Sequence, residues 1–216
     1  MPRILLTLLI VFFFSHAANA QFNRGDILLG GEISYNQNKT TSNYQSNSNS
    51  QIANFQISIG KAINNNAVFG LNLGYSPYST SNYYTGISGP VDYKSHTYLI
   101  GIFYRKYYPI GKQFYFFGEA GGSYNGGPIS GKDTLGNKLL SGSSSGGILG
   151  VTPGISFKIS KLLMLELGLP NFFYANYSSS KSTIQSQTSK SSQFSIGTSL
   201  SSSPLEGLAI GFKLVL

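Results

Sequence analysis

Residues 114–124 read FYFFGEAGGSY. Four aromatic or apolar-leaning residues run into Glu119, and small residues and a tyrosine follow. A carboxylate in so apolar a setting is costly in a soluble core unless it is paired. A β-strand resolves the conflict, because successive side chains leave the backbone on opposite sides. The even set is Phe114, Phe116, Gly118, Ala120, Gly122 and Tyr124, and the odd set is Tyr115, Phe117, Glu119, Gly121 and Ser123. Glu119 then shares a face with small and polar neighbours, and the opposite face stays uncharged.

The same period of two runs along the chain. In 26–36, Ile27, Leu29, Ile33 and Tyr35 alternate with Gly30, Glu32, Ser34 and Asn36. In 51–60, Ala53, Phe55, Ile57 and Ile59 oppose Asn54, Gln56, Ser58 and Gly60, and 67–77 repeats the pattern. Further strands are expected at 95–108, 114–124, 147–159 and 162–174, and 192–216 alternates at both ends around a Ser-Pro interruption at 201–204. Glu166 opposes Leu163, Leu165, Leu167 and Leu169. Arg105, Lys158 and Lys213 likewise fall on the face with the glycines and serines.

Connections alternate between tight (63–66, 109–113, 159–161) and long and polar (37–50, 78–94, 125–145, 178–190). Short turns at one end and long loops at the other are the arrangement of a transmembrane β-barrel. The fold class expected is therefore all-β: an antiparallel up-and-down transmembrane barrel of eight strands, or ten if the 201–204 interruption is a hairpin tip. Charged residues are 10% of the chain, against roughly 25% in ordinary soluble domains. Gly, Ser, Asn and Tyr replace them, as suits an outer surface that does not face water. Lumen-facing Glu32, Glu119, Glu166, Arg105, Lys158 and Lys213 would satisfy one another in a charge network. Lys61 and Lys106 break the parity beside tight turns, where long side chains snorkel. Tyr107, Tyr108 and Phe114 near the turns, and Tyr35, Tyr75 and Tyr124 near the loops, would form two aromatic girdles.

Arg3, the apolar run Ile4–Phe14 and Ala18-Asn19-Ala20 read as a secretory signal peptide over 1–20, cleaved near Ala20/Gln21. That leaves one barrel domain, 21–216. The chain has no cysteine, so an exported protein of this sequence relies on neither disulfides nor thiol ligands. Only His96 remains after the signal is removed, which argues against a histidine-rich metal site. No cofactor is expected.

These features resemble the small outer-membrane β-barrel family, with OmpA/OmpX-like transmembrane domains and the porin-family barrels common in Bacteroidetes. YFFGEAGGSY (115–124) is similar to that family's aromatic-Gly-Glu-Gly strand, and LEGLAIGFKLVL (205–216) to its final strand. The resemblance implies a cell-outer-membrane location and a final strand read by the barrel-assembly machinery through Leu208, Ile210, Phe212, Leu214 and Leu216. The family usually ends in Phe or Trp, whereas this chain ends in Leu216. Outer-membrane lipid and lipopolysaccharide are the other partners expected.

Other readings have weaker support. Gly126, Gly131 and Lys132 have the spacing of a phosphate-binding loop, but Asp133 stands where Ser or Thr would bind magnesium, and no helix pattern follows. The net charge, +8 overall and +7 without Arg3, is spread over turns and loops rather than in the stripe that nucleic acid would require. The function expected is non-enzymatic: a barrel with a filled, charged lumen whose long loops stabilise the envelope or make adhesive or ligand contacts. The alternatives are a narrow porin-like channel, a lipid-modifying barrel enzyme using His96, and a secreted β-sandwich adhesin.

Overall fold

The computed structural model describes residues 23–40, 48–84, 90–133, 135–184, 186–198 and 209–216. The expected signal peptide, the 201–204 interruption and Leu208 lie outside these residues. Among the described residues ten strands form one sheet: β1 (Ile27–Thr40), β2 (Ser48–Asn64), β3 (Ala67–Tyr84), β4 (Pro90–Pro109), β5 (Phe114–Lys132), β6 (Lys138–Lys158), β7 (Leu163–Gly168), β8 (Phe173–Ile184), β9 (Gln187–Gly197) and β10 (Ala209–Val215).

The pairing closes on itself. Neighbours run β1 to β7 in chain order, β7 pairs with β10, and β10 pairs with β1. This is a closed antiparallel eight-stranded barrel with two extra strands. The extra pair, β8 and β9, continues the line of β7 and β10 away from the turns. β6 is long enough to pair with β7 over Gly154–Lys158 and with β8 over Leu140–Val151. Among the described residues the closing seam is brief. β1 meets β10 from Leu28↔Val215 to Gly31↔Phe212, and reciprocal 2.8 Å hydrogen bonds between Ile27 and Leu216 extend it.

Two expected boundaries need correction. The stretch 162–174 is not one strand, because Leu169–Phe172 interrupts it and Asn171 adopts a positive φ of 53°. Gly150 makes the space, since a Cβ there would lie 2.8 Å from Asn171 Oδ1. The stretches expected to be long loops are mostly strand: β1 runs to Thr40, β3 to Tyr84, β5 to Lys132, and 173–197 is a hairpin. Hydropathy does not alternate there because both faces are polar, yet the backbone ladder continues. Ser, Thr and Asn side chains join it across strands, as in Ser50–Thr80 at 3.1 Å, Asn54–Ser34 at 2.9 Å and Ser76–Asn54 at 2.6 Å.

The tight turns carry local chemistry suited to them. Ser160 Oγ accepts from the Leu162 and Leu163 amides at 3.2 and 3.1 Å, and Asn64 Oδ1 accepts from the Asn66 amide at 2.9 Å. Outward positions form a continuous apolar band in which Ile33, Phe55, Ile57, Leu71, Leu73, Ile100, Ile102, Leu149 and Ile210 are all exposed. Lys61 and Lys106 face outward beside the turns, and Lys106 Nζ lies 5.3 Å from the Tyr108 ring centroid.

Candidate functional site

The lumen is layered. At the turn end Leu28, Ala62, Val68, Phe103, Tyr107, Tyr115, Phe117, Met164 and Val215 form one buried apolar cluster. Glycines on the facing strands leave room for its rings. A Cβ on Gly70 would come within 2.5 Å of Phe103 Cζ, and one on Gly154 within 2.6 Å of Phe117 Cε1 and 2.5 Å of the Leu167 carbonyl. A barrel of eight strands is just wide enough for side chains to fill, and here they fill this end.

The charges gather on the loop side of that cluster. Arg105 on β4 and Glu119 on β5 are direct register partners. The Arg105 Nε and Nη2 lie 2.8 and 2.7 Å from Glu119 Oε2. Nη1 reaches across the lumen to β7, donating to both Glu166 oxygens at 2.7 Å. Tyr107 Oη donates to Glu166 Oε1 at 3.0 Å, and the Ser156 hydroxyl approaches the same oxygen at 3.5 Å. The guanidinium also sits 4.4 Å from the Phe117 ring centroid. Planar, multiply bonded and stacked, this is a site where arginine and lysine are not interchangeable. It braces β4 and β5 against β7.

The other three expected charges lie apart from this triad. Lys213 on β10 donates to Ser58 Oγ on β2 at 2.5 Å, crossing over Gly30 of β1, where a Cβ would lie 2.5 Å from Lys213 Cδ. Its charge is felt by Arg105 and by all three glutamates. Glu32 faces the lumen, is exposed, and makes no ion pair within 4.0 Å among the described residues. Lys158 is buried near the turns, within electrostatic reach of Asp26. A cavity of about 320 Å³ with mixed polar and apolar walls borders the triad and extends towards Glu32, Gln56, Asn72, Ser123 and Lys213.

Tyr107 is the residue that the sequence reading misplaced. It was expected in the outer girdle, but it is 0% exposed inside the lumen. The signal was present, since Tyr107 is two residues from Arg105 and shares its face. Tyr108, by contrast, points outward and is exposed, and Phe114 pairs with Phe157 at 4.7 Å between centroids. Tyr35, Tyr98, Tyr124, Tyr177 and Phe194 are exposed at the other edge of the apolar band. His96 shares the parity of outward Tyr98 and is removed from the lumen charges. Its Nδ1 lies 2.8 Å from the Tyr75 hydroxyl, and the two rings stack. Of the final-strand set, Ile210, Phe212, Leu214 and Leu216 are all exposed, on the strand that joins β7 to β1.

No protein-family model matches the chain, and no curated protein sequence matches it. Solved structures similar in shape include the following two. Neisserial surface protein A aligns with 88% of this chain and 96% of its own, at 17% identity and a TM-score of 0.41. The siderophore receptor PiuA from Acinetobacter baumannii aligns with 83% of this chain at 8% identity and a TM-score of 0.44, and this chain spans 40% of the receptor's length.

Proposed function

We propose that this chain is a non-enzymatic integral protein of the outer membrane, exported by a cleaved signal and inserted by the barrel-assembly machinery. It would brace the envelope and present its polar hairpins for contact outside the cell. One observation carries the reading: the barrel inverts the soluble arrangement. Large apolar side chains cover the outside of the staves, and the Arg105, Glu119 and Glu166 ion-pair triad is enclosed. Outward positions on β4 from Tyr98 to Tyr108 span eleven residues and are apolar or aromatic except Lys106 beside the turn, close to the 9–11 that a tilted strand needs to cross. An apolar belt this continuous exceeds what soluble monomers expose.

The filled turn end argues against a diffusion pore, and the outward place of His96 argues against its acting on a substrate held in the lumen. The test combines three measurements on full-length protein expressed in a Gram-negative host. Membrane fractionation, a heat-dependent shift on a detergent gel and single-channel recording in a planar bilayer should give an outer-membrane, heat-modifiable barrel without stable conductance. Recovery as a soluble periplasmic or secreted protein would refute membrane insertion. Discrete conductance steps would replace the bracing role with a channel.

A further inference from the structure

Lysines on the outer face above the apolar band are placed by height. Outward Tyr35, Tyr98, Tyr177 and Phe194 mark the loop-side edge of the band. Lys39, Lys94, Lys181 and Lys190 each stand four residues farther along the same strand, on the same face. Four residues are about 13 Å along a strand and about 9 Å of height at a tilt of about 45°. The polar headgroup layer is about 5–7 Å thick on each side of the hydrocarbon. A lysine stem that bends back towards the band brings its ammonium into that layer.

Two of the four share one rung. Lys181 on β8 and Lys190 on β9 are direct register partners, and both are exposed. The rung lies above Tyr177↔Phe194 and Ser179↔Ser192 and below Thr183↔Thr188. Like charges placed directly opposite are unfavourable in a sheet. An acidic neighbour would usually offset them, but β6, β8 and β9 contain no Asp or Glu. The partner of Lys181 on β6 is Ser143. The contrast is Lys132, nearer the tip of its hairpin: it stands opposite Lys138 on β6, but its register partner on β4 is the acidic Asp92.

We infer that the Lys181–Lys190 rung, with hydroxyls of Ser179 and Ser192 beneath it, is a binding site for the phosphate ester of an outer-leaflet lipid whose acyl chains lie against Tyr177 and Phe194. Two ammonium groups at one height match a doubly charged phosphate, and the aromatic rung below supplies the apolar contact that an inorganic anion could not use. This rests on the membrane reading above. The experiment separates the two, because insertion is scored by heat-dependent gel mobility and lipid binding by a different readout.

The folded full-length barrel in dodecyl maltoside is titrated with diphosphoryl lipid A in the same detergent, and bound lipid is counted by native mass spectrometry. Each lysine near an anionic surface contributes enough that losing both should weaken binding about thirtyfold. The double variant K181Q/K190Q should show that loss while remaining heat-modifiable. K132Q should bind as the parent does, and K181R/K190R should retain most of the affinity. Equal binding by K181Q/K190Q, or equal binding of dephosphorylated lipid A by the parent, overturns the site. Displacement of the lipid by inorganic phosphate at matching concentration also overturns it, in favour of a soluble anion. A chain that never becomes heat-modifiable refutes insertion itself.

Discussion

Replacing Arg105 with methionine keeps most of the side-chain volume and removes the positive charge from the triad. Glu166 keeps the Tyr107 hydroxyl at 3.0 Å and the weaker Ser156 approach at 3.5 Å, but loses two bonds of 2.7 Å. Glu119 loses bonds of 2.8 and 2.7 Å. The carboxylate side chains are only 7% and 18% exposed, so water replaces little of what is lost. Removing one partner of a buried pair costs about 3–5 kcal/mol, and losing the stack on Phe117 adds about 1 kcal/mol. With a urea slope of about 2 kcal/mol/M, the unfolding midpoint of the barrel in phosphatidylcholine vesicles should fall by about 2–3 M. Glu166→Gln should cost more than Glu119→Gln, because Glu166 is the more enclosed and forms the link across the lumen. The triple variant R105M/E119Q/E166Q should recover much of the loss, since the penalty comes from orphaned charge rather than from a missing attraction. A shift below about 0.5 M for R105M, or a triple variant no better than R105M alone, would show that the triad is not what braces β4 and β5 against β7.

Two further outcomes follow from the packing and from one hairpin tip. Gly154→Leu places a side chain against Phe117 and the Leu167 carbonyl. Overpacking of this kind costs about 1–3 kcal/mol, so the heat-modifiable fraction after refolding should drop clearly, whereas Gly118→Leu, facing open space, should leave it unchanged. At the β5–β6 tip, the side-chain bond from Asn137 holds the Asp133 carboxyl below its ordinary range, helped by the Leu135 and Asn137 amides. A depressed carboxyl stabilises the tip fully above the unfolded value of about 3.9. That contribution is lost as the pH falls through the lower folded value. Amide exchange at Leu135 and Asn137, corrected for intrinsic pH dependence, should show protection that holds down to about pH 4 and fades below it, and Asp133→Ala should abolish that step.

The facing of the side chains was legible in the sequence; their relative height was not. Period-two alternation put Glu119, Glu166, Arg105 and Lys213 on the inward side because each strand is apolar on one face only. Which charges meet depends on register between strands, and hydropathy within one strand does not encode that. Arg105 and Glu119 are level because β4 and β5 are joined by a turn of four residues, Ile110–Gln113. Glu166 joins them only through the curvature of the barrel. The polar stretches read as loops because period two vanishes once both faces meet water, although the backbone ladder runs on. Tyr107 was assigned by its nearness to a turn when its parity with Arg105 was the better guide. The break at Leu169–Phe172 had a local sign in Pro170-Asn171, since proline cannot donate to a ladder and asparagine tolerates positive φ.

The brief seam between β1 and β10 governs how the cylinder is completed. Every other stave can zip onto the neighbour that precedes it, with a hairpin to hold the ends together. The last junction must bring residues 28–31 to residues 212–215, nearly the full length of the domain away. Bringing distant segments together carries the largest chain-entropy cost and makes for slow assembly. Closure is therefore the step at which a helper that holds β1 and β10 in register gains the most. The same junction, with the fewest rungs among the described residues, should be the first to part under mechanical load.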